Sequence, residues 1–221
     1  MGRAAGRRAL KVQWDESASK DLDSEALLAR YRTQAAQPGT PFAKPTTSAA
    51  SSPVKTIEAV YEFPFLAHAT MEPMNCVAWL HDGMLETWSG HQFPSFDHML
   101  AAKAAGLPMD KVKLHTLVSG GSFGRRANVF SDFTVAAVNV AKAIGGRAPV
   151  RVQFSREDDT GAGLYRPMYV HAVKAGIDAQ GRVALWEHTI VGQSIMAGGP
   201  MAMMIKDGID PTSVEGSNVR N

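Results

Sequence analysis

The most informative turn of the chain reads Gly120-Gly121-Ser122-Phe123-Gly124-Arg125-Arg126, and it lies between an apparent strand over 111–118 and an apparent helix over 130–144. Glycine has no Cβ, so such a turn can adopt positive φ and bring its backbone close to a bound group. Backbone N–H groups at the start of a following helix attract negative charge, and arginine presents planar donors that suit phosphate. The turn therefore predicts a site for an anionic group.

This turn does not by itself identify the ligand. It lacks the Gly-Lys-Ser/Thr ending of a nucleotide-binding P-loop and the glycine spacing of a dinucleotide-binding fingerprint. The alternative interpretation is an ordinary strand-to-helix turn with two solvated arginines. The local sequence leaves both interpretations open, and the rest of the chain has to decide between them.

Size and composition are those of a globular protein. The 221 residues are 45% hydrophobic and 20% charged, and a net charge of +2 argues against a nucleic-acid-binding surface. No run of ~18 apolar residues is present and no apolar stretch follows the basic start, so neither a membrane span nor a signal peptide is predicted. A single cysteine, Cys76, excludes an internal disulfide or a thiolate-built metal cluster, so any redox centre must come from a cofactor or partner.

The apolar pattern predicts an α+β fold, a mixed sheet with flanking helices. Segment 1–37 contains a predicted strand over 9–14 and a predicted helix over 24–37, and a Pro-, Ser- and Ala-rich linker follows over 38–53. In segment 54–221, strands are predicted over 55–63, 75–80, 84–88, 111–118, 150–154, 170–177 and 183–190, and helices over 95–105 and 130–144. From residue 192 the chain fits neither pattern and reads like an interior loop, which predicts a domain incomplete at its C-terminus.

Four segments together resemble a known family. They are His68-Ala-Thr-Met-Glu-Pro-Met-Asn75, Glu86-Thr-Trp-Ser-Gly-His-Gln92, the glycine turn, and Ser155-Arg-Glu-Asp-Asp159 followed by Tyr165-Arg166-Pro167. Over roughly residues 5–216 the chain resembles the large subunit of molybdenum hydroxylases of the xanthine oxidase family. Within that family the likeness is greatest to the beta subunit of isoquinoline 1-oxidoreductase and to membrane-associated aldehyde dehydrogenases.

The resemblance implies a domain organisation. Segment 1–37 would be the end of a preceding hammerhead-like domain, 38–53 a linker, and 54–221 an incomplete first molybdopterin-binding domain like that of aldehyde oxidase and xanthine dehydrogenase large subunits. The family's general base is a glutamate in a second molybdenum-binding domain, and no residue here corresponds to it. No catalytic residue and no protein ligand to a metal is therefore assigned.

The resemblance also implies a set of site residues. Arg166 matches an arginine that faces the substrate pocket in many relatives, where a fixed cation can steady developing negative charge. Gln92 matches a glutamine that hydrogen-bonds an oxo ligand of the molybdenum centre, and the two arginines of the turn would lie near the pterin or phosphates. The residues expected to contact the cofactor are Gln92, Gly120, Gly121, Ser122, Phe123, Gly124, Arg125 and Arg126.

The implied function is oxidation of an aldehyde or N-heterocycle, with water as the oxygen source. The implied cofactor is molybdenum-molybdopterin in its cytosine dinucleotide form, with iron–sulfur clusters on a small partner subunit and the rest of the large subunit as a second partner. The chain is expected to be inactive alone, and its location to be periplasmic or membrane-associated, with cytoplasmic as the alternative. Other functions left open are a small module that binds an anion or nucleotide phosphate, and a non-catalytic scaffold or assembly protein.

Three other groups of residues have simpler interpretations. His68 and Glu72 are four residues apart, but a metal site needs three or four ligands, and Glu72 is interpreted as an anchor for the turn at Pro73. The acidic run over 157–159 is interpreted as the start of a helix or a solvated face. Cys76 is interpreted as a small buried residue.

Overall fold

The computed structural model describes residues 6, 8–42, 46–47, 52–199, 201–207 and 209–213. In chain order the helices and strands are α1 (Ser24–Ala35), β1 (Thr46–Thr47), β2 (Lys55–Phe63), β3 (Asn75–His81), β4 (Met84–Ser89), α2 (Pro94–Ala105), β5 (Val112–Thr116), α3 (Asp132–Ala143), β6 (Val150–Gln153), α4 (Arg156–Gly161), β7 (Tyr169–Ile177) and β8 (Val183–Gly192). Short 3-10 turns lie at Met109–Lys111, Arg125–Ala127, Ala202–Met204 and Pro211–Ser213.

These elements form two units. The first unit comprises Met1–Gly39, Thr46–Tyr61 and Val170–Val191, and the second comprises Thr40–Pro45, Glu62–Tyr169 and Gly192–Asn221. The first unit contains α1 and a four-stranded sheet in the order β1-β8-β7-β2. Helix α1 begins where predicted, because the Asp23 carboxylate accepts a hydrogen bond from the Ala26 amide at 2.7 Å and so caps the helix.

The hairpin between β7 and β8 forms as its sequence indicates. Gly181 has a φ of +78°, which favours glycine. The buried Asp178 carboxylate accepts hydrogen bonds from the backbone of Gln180 and Arg182, both at 2.9 Å, and from the Arg182 side chain at 2.8 Å. One carboxylate therefore holds the whole turn.

The strand predicted over 9–14 is wrong. Residues 10–16 adopt no regular structure. The alternating apolar side chains on which the prediction rested, Leu10, Val12 and Trp14, are 67%, 55% and 78% exposed. Alternation produces a strand only where a neighbouring strand pairs with it and a core covers its apolar face.

The second unit holds the mixed sheet that the sequence predicts. Its strand order is β5-β4-β3-β6, with β3 antiparallel to both β4 and β6, and β4 parallel to β5. The turn between β3 and β4 has positive φ at Asp82 and Gly83, as a tight hairpin requires. Helices α2 and α3 pack against one face of this sheet, which confirms the α+β class.

A single apolar core lies between that sheet and its helices. Cys76 is fully buried in it, and burial raises the pKa of its thiol to about 12, so the interpretation of this residue as a small buried side chain is confirmed. The fully buried side chains of this core come from the sheet, from Met74 just before it and from α3, and they include Met74, Ala78, Leu85, Phe133, Ala137, Val138 and Ala141.

Candidate functional site

Parallel pairing of β4 and β5 brings the predicted site residues together. Ser89 and Thr116 are register partners at the carboxyl ends of these strands, so the segments that follow them leave the same edge of the sheet. The two segments touch: a Cβ added to Gly90 would lie 2.4 Å from the Ser119 Cβ. As a result the Ser122 hydroxyl donates a hydrogen bond to the Gln92 side-chain oxygen, across 30 residues of sequence.

The backbone of the glycine turn has an unusual conformation. Gly121 and Gly124 have φ angles of +97°. Phe123 between them has a φ of +55°, a backbone conformation that residues other than glycine rarely adopt. The Phe123 side chain is 71% exposed. Within the described residues, the amides of Ser122, Phe123 and Gly124 donate to no protein acceptor. Three adjacent N–H groups are therefore available to an acceptor outside the chain.

The helix that follows the turn does not supply these donors. The 3-10 turn Arg125–Ala127 and residues 128–131 separate the glycine turn from the first residue of α3. The Arg125 amide donates to the Ser122 carbonyl at 3.0 Å, and the Ala127 amide to the Gly124 carbonyl at 2.9 Å. The available donors therefore belong to the turn itself, whereas the sequence interpretation had also assigned donors to the N-terminus of the following helix.

Glu72 holds the glycine turn in place. Its carboxylate accepts a hydrogen bond from the Gly120 amide at 2.6 Å and another from the Asn75 side chain, also at 2.6 Å. These contacts, the Gly120 one first, lower the pKa of the Glu72 carboxyl. A Cβ added to Gly120 would lie 2.7 Å from the Glu72 Cβ, so glycine is required there. Glu72 thus anchors the glycine turn, 48 residues away in sequence, as well as the local turn at Pro73.

The Arg126 side chain is fully buried beneath the turn. Its Nε donates to the Gly121 carbonyl at 3.0 Å, and its Nη2 lies 3.4 Å from the Glu72 carboxylate. Only 1% of the side chain is exposed. The guanidinium therefore supports the turn from within, and the alternative of a solvated arginine is wrong for this residue.

Arg125 is buried as well and lies among carboxylates. Its two terminal nitrogens donate to both oxygens of Asp132, at 3.0 and 2.8 Å, and its Nε lies 3.6 Å from Asp159. The Asp159 side chain is 1% exposed and also lies 3.6 Å from Arg156. Gly163, with a φ of +87°, lies so close that an added Cβ would be 2.7 Å from the Arg125 Nη2. Arg125 is therefore balanced by two acidic groups.

The acidic run over 157–159 has two roles in the structure. Asp158 forms a capping box with Ser155 at the start of α4, which confirms the helix-start interpretation for that residue. Asp159 is instead buried against Arg125, so a solvated face is the wrong interpretation for it. The sequence contains no signal for that pairing, because the partners are separated by 34 positions.

A cavity of about 710 Å³ opens beside the turn, within the second unit. Arg166, Phe123 and Gly124 all line it, and the role of Arg166 toward a substrate stays a prediction. Its walls are largely aromatic and aliphatic, and include Phe65, Phe93, Phe130, Leu164, Tyr165, Pro167, Ile195, Met196 and Met201. The irregular segment after residue 192 therefore contributes walls to the cavity.

His68 is a cavity residue that the sequence interpretation missed. The backbone of Leu66 pairs with that of Arg166, at 3.2 and 3.0 Å, so the segment that carries His68 runs beside the segment that carries Arg166. The His68 Nδ1 is buried and has no hydrogen-bond partner within the described residues. Burial, and then the charges of Arg125 and Arg166, lower the pKa of His68. Among the described residues, no group of three or more histidine, cysteine, aspartate or glutamate side chains is placed to hold a metal ion.

His68 is expected to titrate below the value of about 6.5 that is usual for histidine. Because its proton is held less tightly in the folded state, folding stability is unaffected above that value and falls as the pH drops below it, until the folded-state pKa is passed. An NMR titration of the imidazole Cε1–H signals measures this directly. His81 is an internal control, because its hydrogen bond to Asp82 raises the pKa of His81. Titration of His68 at or above the value for His81 would contradict the prediction.

The glycine turn and the cavity lie in a stretch that matches a known domain. Residues 33–204 match the model of the molybdopterin cofactor-binding domain. The chain belongs to this family. The resemblance on which the sequence analysis relied is thereby confirmed, and the match covers the turn, Gln92 and Arg166 together.

Curated relatives of this molybdopterin-binding domain include enzyme subunits. The chain is 33% identical over 144 residues to the membrane-bound aldehyde dehydrogenase (pyrroloquinoline-quinone) of Gluconacetobacter polyoxogenes, a match over 65% of this chain and 18% of the relative. It is 32% identical over 158 residues to the beta subunit of isoquinoline 1-oxidoreductase of Brevundimonas diminuta, over 71% of this chain and 19% of the relative. The chain thus spans about a fifth of the length of these relatives.

Solved structures support the fold. The chain superposes on quinoline 2-oxidoreductase from Pseudomonas putida 86 with a TM-score of 0.52 and 20% identity, over 63% of this chain and 18% of the other. At that identity the likeness concerns the fold alone, and it agrees with the α+β class. Within the described residues, no helix is long and apolar enough to cross a bilayer.

Proposed function

We propose that this chain is part of the large subunit of a molybdenum-dependent oxidoreductase that oxidises an aldehyde or an N-heterocycle with water as the oxygen source. The observation that carries the proposal is the row of three unpaired amides in a turn of a molybdopterin-binding domain. Relatives named for aldehyde and isoquinoline oxidation supply the substrate classes. When bound, the molybdenum cofactor would supply oxygen-atom transfer and accept the electrons.

The turn fits such a cofactor. The amides of Ser122, Phe123 and Gly124 are suited to donate to anionic oxygen ligands, and the Gln92 side-chain amide, which Ser122 orients, can donate alongside them. Glu72 fixes Gly120 and thereby the position of the row. The amides of Ser122, Phe123 and Gly124 and the Gln92 side chain would hold the group. Gly120 and Gly121, whose amides donate to Glu72 and to the Ser119 carbonyl, would shape the turn around it.

Arg125 and Arg126 remain predicted cofactor neighbours with a defined supporting role. Both guanidinium groups are buried and contact protein groups, Asp132 and Asp159 for the first and the turn backbone for the second, although the Arg125 Nε and the Arg126 Nη1 have no hydrogen-bond partner among the described residues. The two arginines would therefore stabilise the conformation of the turn, and the turn's backbone N–H groups would contact the cofactor. Burial of both guanidinium groups disfavours the alternative of a nucleotide-phosphate module, which would need arginine donors that a phosphate can reach.

Further parts of the proposal rest on resemblance to the family. The cofactor would be the cytosine dinucleotide form, and electrons would leave through iron–sulfur clusters on a small subunit. The remaining large subunit would supply the general base, so the chain would be inactive alone. Segments 1–37, 38–53 and 54–221 would be the end of a hammerhead-like domain, a linker and part of the first cofactor-binding domain. Association with a membrane is proposed from the name of one relative.

The test is the molybdenum content of tagged chain purified from its own host, where about one atom per chain is expected when its partners are present. Gly124→Ala is expected to abolish most of that content, because a side chain at φ +97° forces the turn out of shape. Gly181→Ala is the matched control: it imposes a similar strain of about 1–2 kcal/mol at φ +78°, in open space in the hairpin of the first unit.

Each outcome decides a part of the proposal. Wild-type chain without molybdenum, or equal loss in the two glycine variants, would overturn the cofactor site. A bound quinone in place of molybdenum would assign the chain to the cofactor in the name of the Gluconacetobacter relative. Substrate oxidation by the purified chain with no partner present would contradict inactivity of the isolated chain.

A further inference from the structure

The charges that line the cavity do not cancel. Two arginines line it, but only Arg125 is balanced, by Asp132 and Asp159. Arg166 is exposed, and within the described part of the chain no carboxylate lies within ion-pair distance of its guanidinium. The cavity therefore presents one uncompensated positive charge, and an anion is the ligand that would complement it.

His68 adds a neutral polar group next to that charge. Its imidazole lines the same cavity, and the Leu66–Arg166 backbone pairing fixes it near Arg166. Burial, and then the positive charges of Arg125 and Arg166, lower the pKa of His68 and so favour the neutral imidazole at pH 7. A neutral imidazole donates one hydrogen bond and accepts one, and the buried Nδ1 has no partner among the described residues.

The remaining walls suit a flat apolar body. Aromatic rings of Phe65, Phe93, Phe123, Phe130 and Tyr165 line the cavity, with methionine side chains from the segment after residue 192. A volume of about 710 Å³ lies in the range of small-molecule sites. Aromatic walls bind aromatic ligands by stacking and edge contacts in addition to area burial.

We propose that this cavity selects aromatic molecules that carry a carboxylate, with Arg166 pairing with the carboxylate and His68 donating a hydrogen bond to it. The inference rests on the proposed function, because it names the substrate class of the same site. Arg166 is then the residue that distinguishes an anionic from a neutral aromatic ligand, and His68 adds a donor that strengthens binding of the carboxylate. Asp132 and the buried Asp159 contribute by neutralising Arg125, so that Arg166 alone attracts the anion.

The test compares benzoate with benzamide, its neutral isostere, on the purified full-length chain by NMR titration. Benzoate is expected to bind about tenfold more tightly, the equivalent of one charge-assisted hydrogen bond. Arg166→Met is expected to remove that preference, because it weakens benzoate binding more than benzamide binding. Arg147→Gln is the control, because Arg147 is an exposed cation that contacts only the Ile144 carbonyl in the described structure and does not line the cavity.

His68 gives an independent readout. Bound benzoate stabilises the imidazolium, so the pKa of His68 should rise on adding benzoate and stay constant on adding benzamide. His68→Phe should weaken benzoate severalfold, and His68→Gln, which restores a donor, should recover part of the loss.

Several results would overturn the inference. They are equal affinity for the two ligands, benzoate binding that persists in Arg166→Met, or no binding of either ligand up to its solubility. Molybdenum content is measured separately, so benzoate selectivity without molybdenum would overturn the cofactor proposal alone, and molybdenum without selectivity would overturn the substrate class alone.

Discussion

Replacing Arg125 by methionine is expected to lower the free energy of unfolding by about 3–5 kcal/mol, the cost of removing one partner from a buried ion pair. Methionine keeps most of the apolar volume but leaves Asp159, whose side chain is 1% exposed, with Arg156 at 3.6 Å as its remaining cation. Asp132 loses both hydrogen bonds, although at 29% exposure its carboxylate can recover water. Urea denaturation measures the loss.

Further variants separate the cost of leaving a buried carboxylate unpaired from the cost of lost packing around Arg125. Combining Arg125→Met with Asp159→Asn removes the buried charge that has lost its partner, so the double variant should be more stable than Arg125→Met alone. Together with the Asp159→Asn single variant, the double-mutant cycle gives the coupling energy between the two residues. Arg151→Met is the matched control, because Arg151 contacts Gln153 at an exposed site and its loss should change stability by no more than about 0.5 kcal/mol. Equal denaturation midpoints for Arg125→Met and Arg151→Met would contradict the ion-pair explanation.

The sequence was sufficient for the elements whose signals are local. Helix α2 ends at Ala105, as predicted, and Gly106 caps it with a φ of +76°. The turn at Asp82 and Gly83 joins β3 to β4. Each signal lies within a few residues of the feature it specifies. The strand predicted over 9–14 was wrong because its stability depends on a partner that the local pattern cannot report.

Long-range contacts within the site were beyond local reasoning. Gln92 was placed by resemblance, and parallel pairing of β4 with β5 explains why it meets Ser122. Burial of the two arginines could not be inferred, since the partners of Arg125 lie 7 and 34 positions away and Glu72 lies 54 positions before Arg126. A charged side chain is buried only where the fold brings such partners next to it, and a local stretch of sequence does not contain that information.

Glu72→Ala is expected to lower the free energy of unfolding by about 2 kcal/mol and to loosen the glycine turn. The variant removes the acceptor for the Gly120 amide and for Asn75, and it deprives the buried Arg126 of its carboxylate. The expected loss is smaller than for a fully buried pair, because the Glu72 side chain is 38% exposed and water can replace part of the lost interaction. Hydrogen exchange of the Gly120 amide reports the turn itself, and its protection should fall more than that of the core strands.

The pH dependence distinguishes this role of Glu72 from simple packing. Its folded-state pKa is lowered, so its contribution is fully present above the unfolded value of about 4.5 and disappears as the pH falls through the lower folded-state value. Glu72→Gln retains a carbonyl acceptor for Gly120 without the charge, so it should lie between the wild type and Glu72→Ala and lack this pH dependence. Glu58→Ala, which breaks an exposed ion pair with Lys174, is the control with little expected effect. If Glu72→Ala matched Glu58→Ala in stability and in Gly120 exchange, the turn would be held by the Arg126 contact to the Gly121 carbonyl alone, and the three amides would owe their alignment to that buried cation.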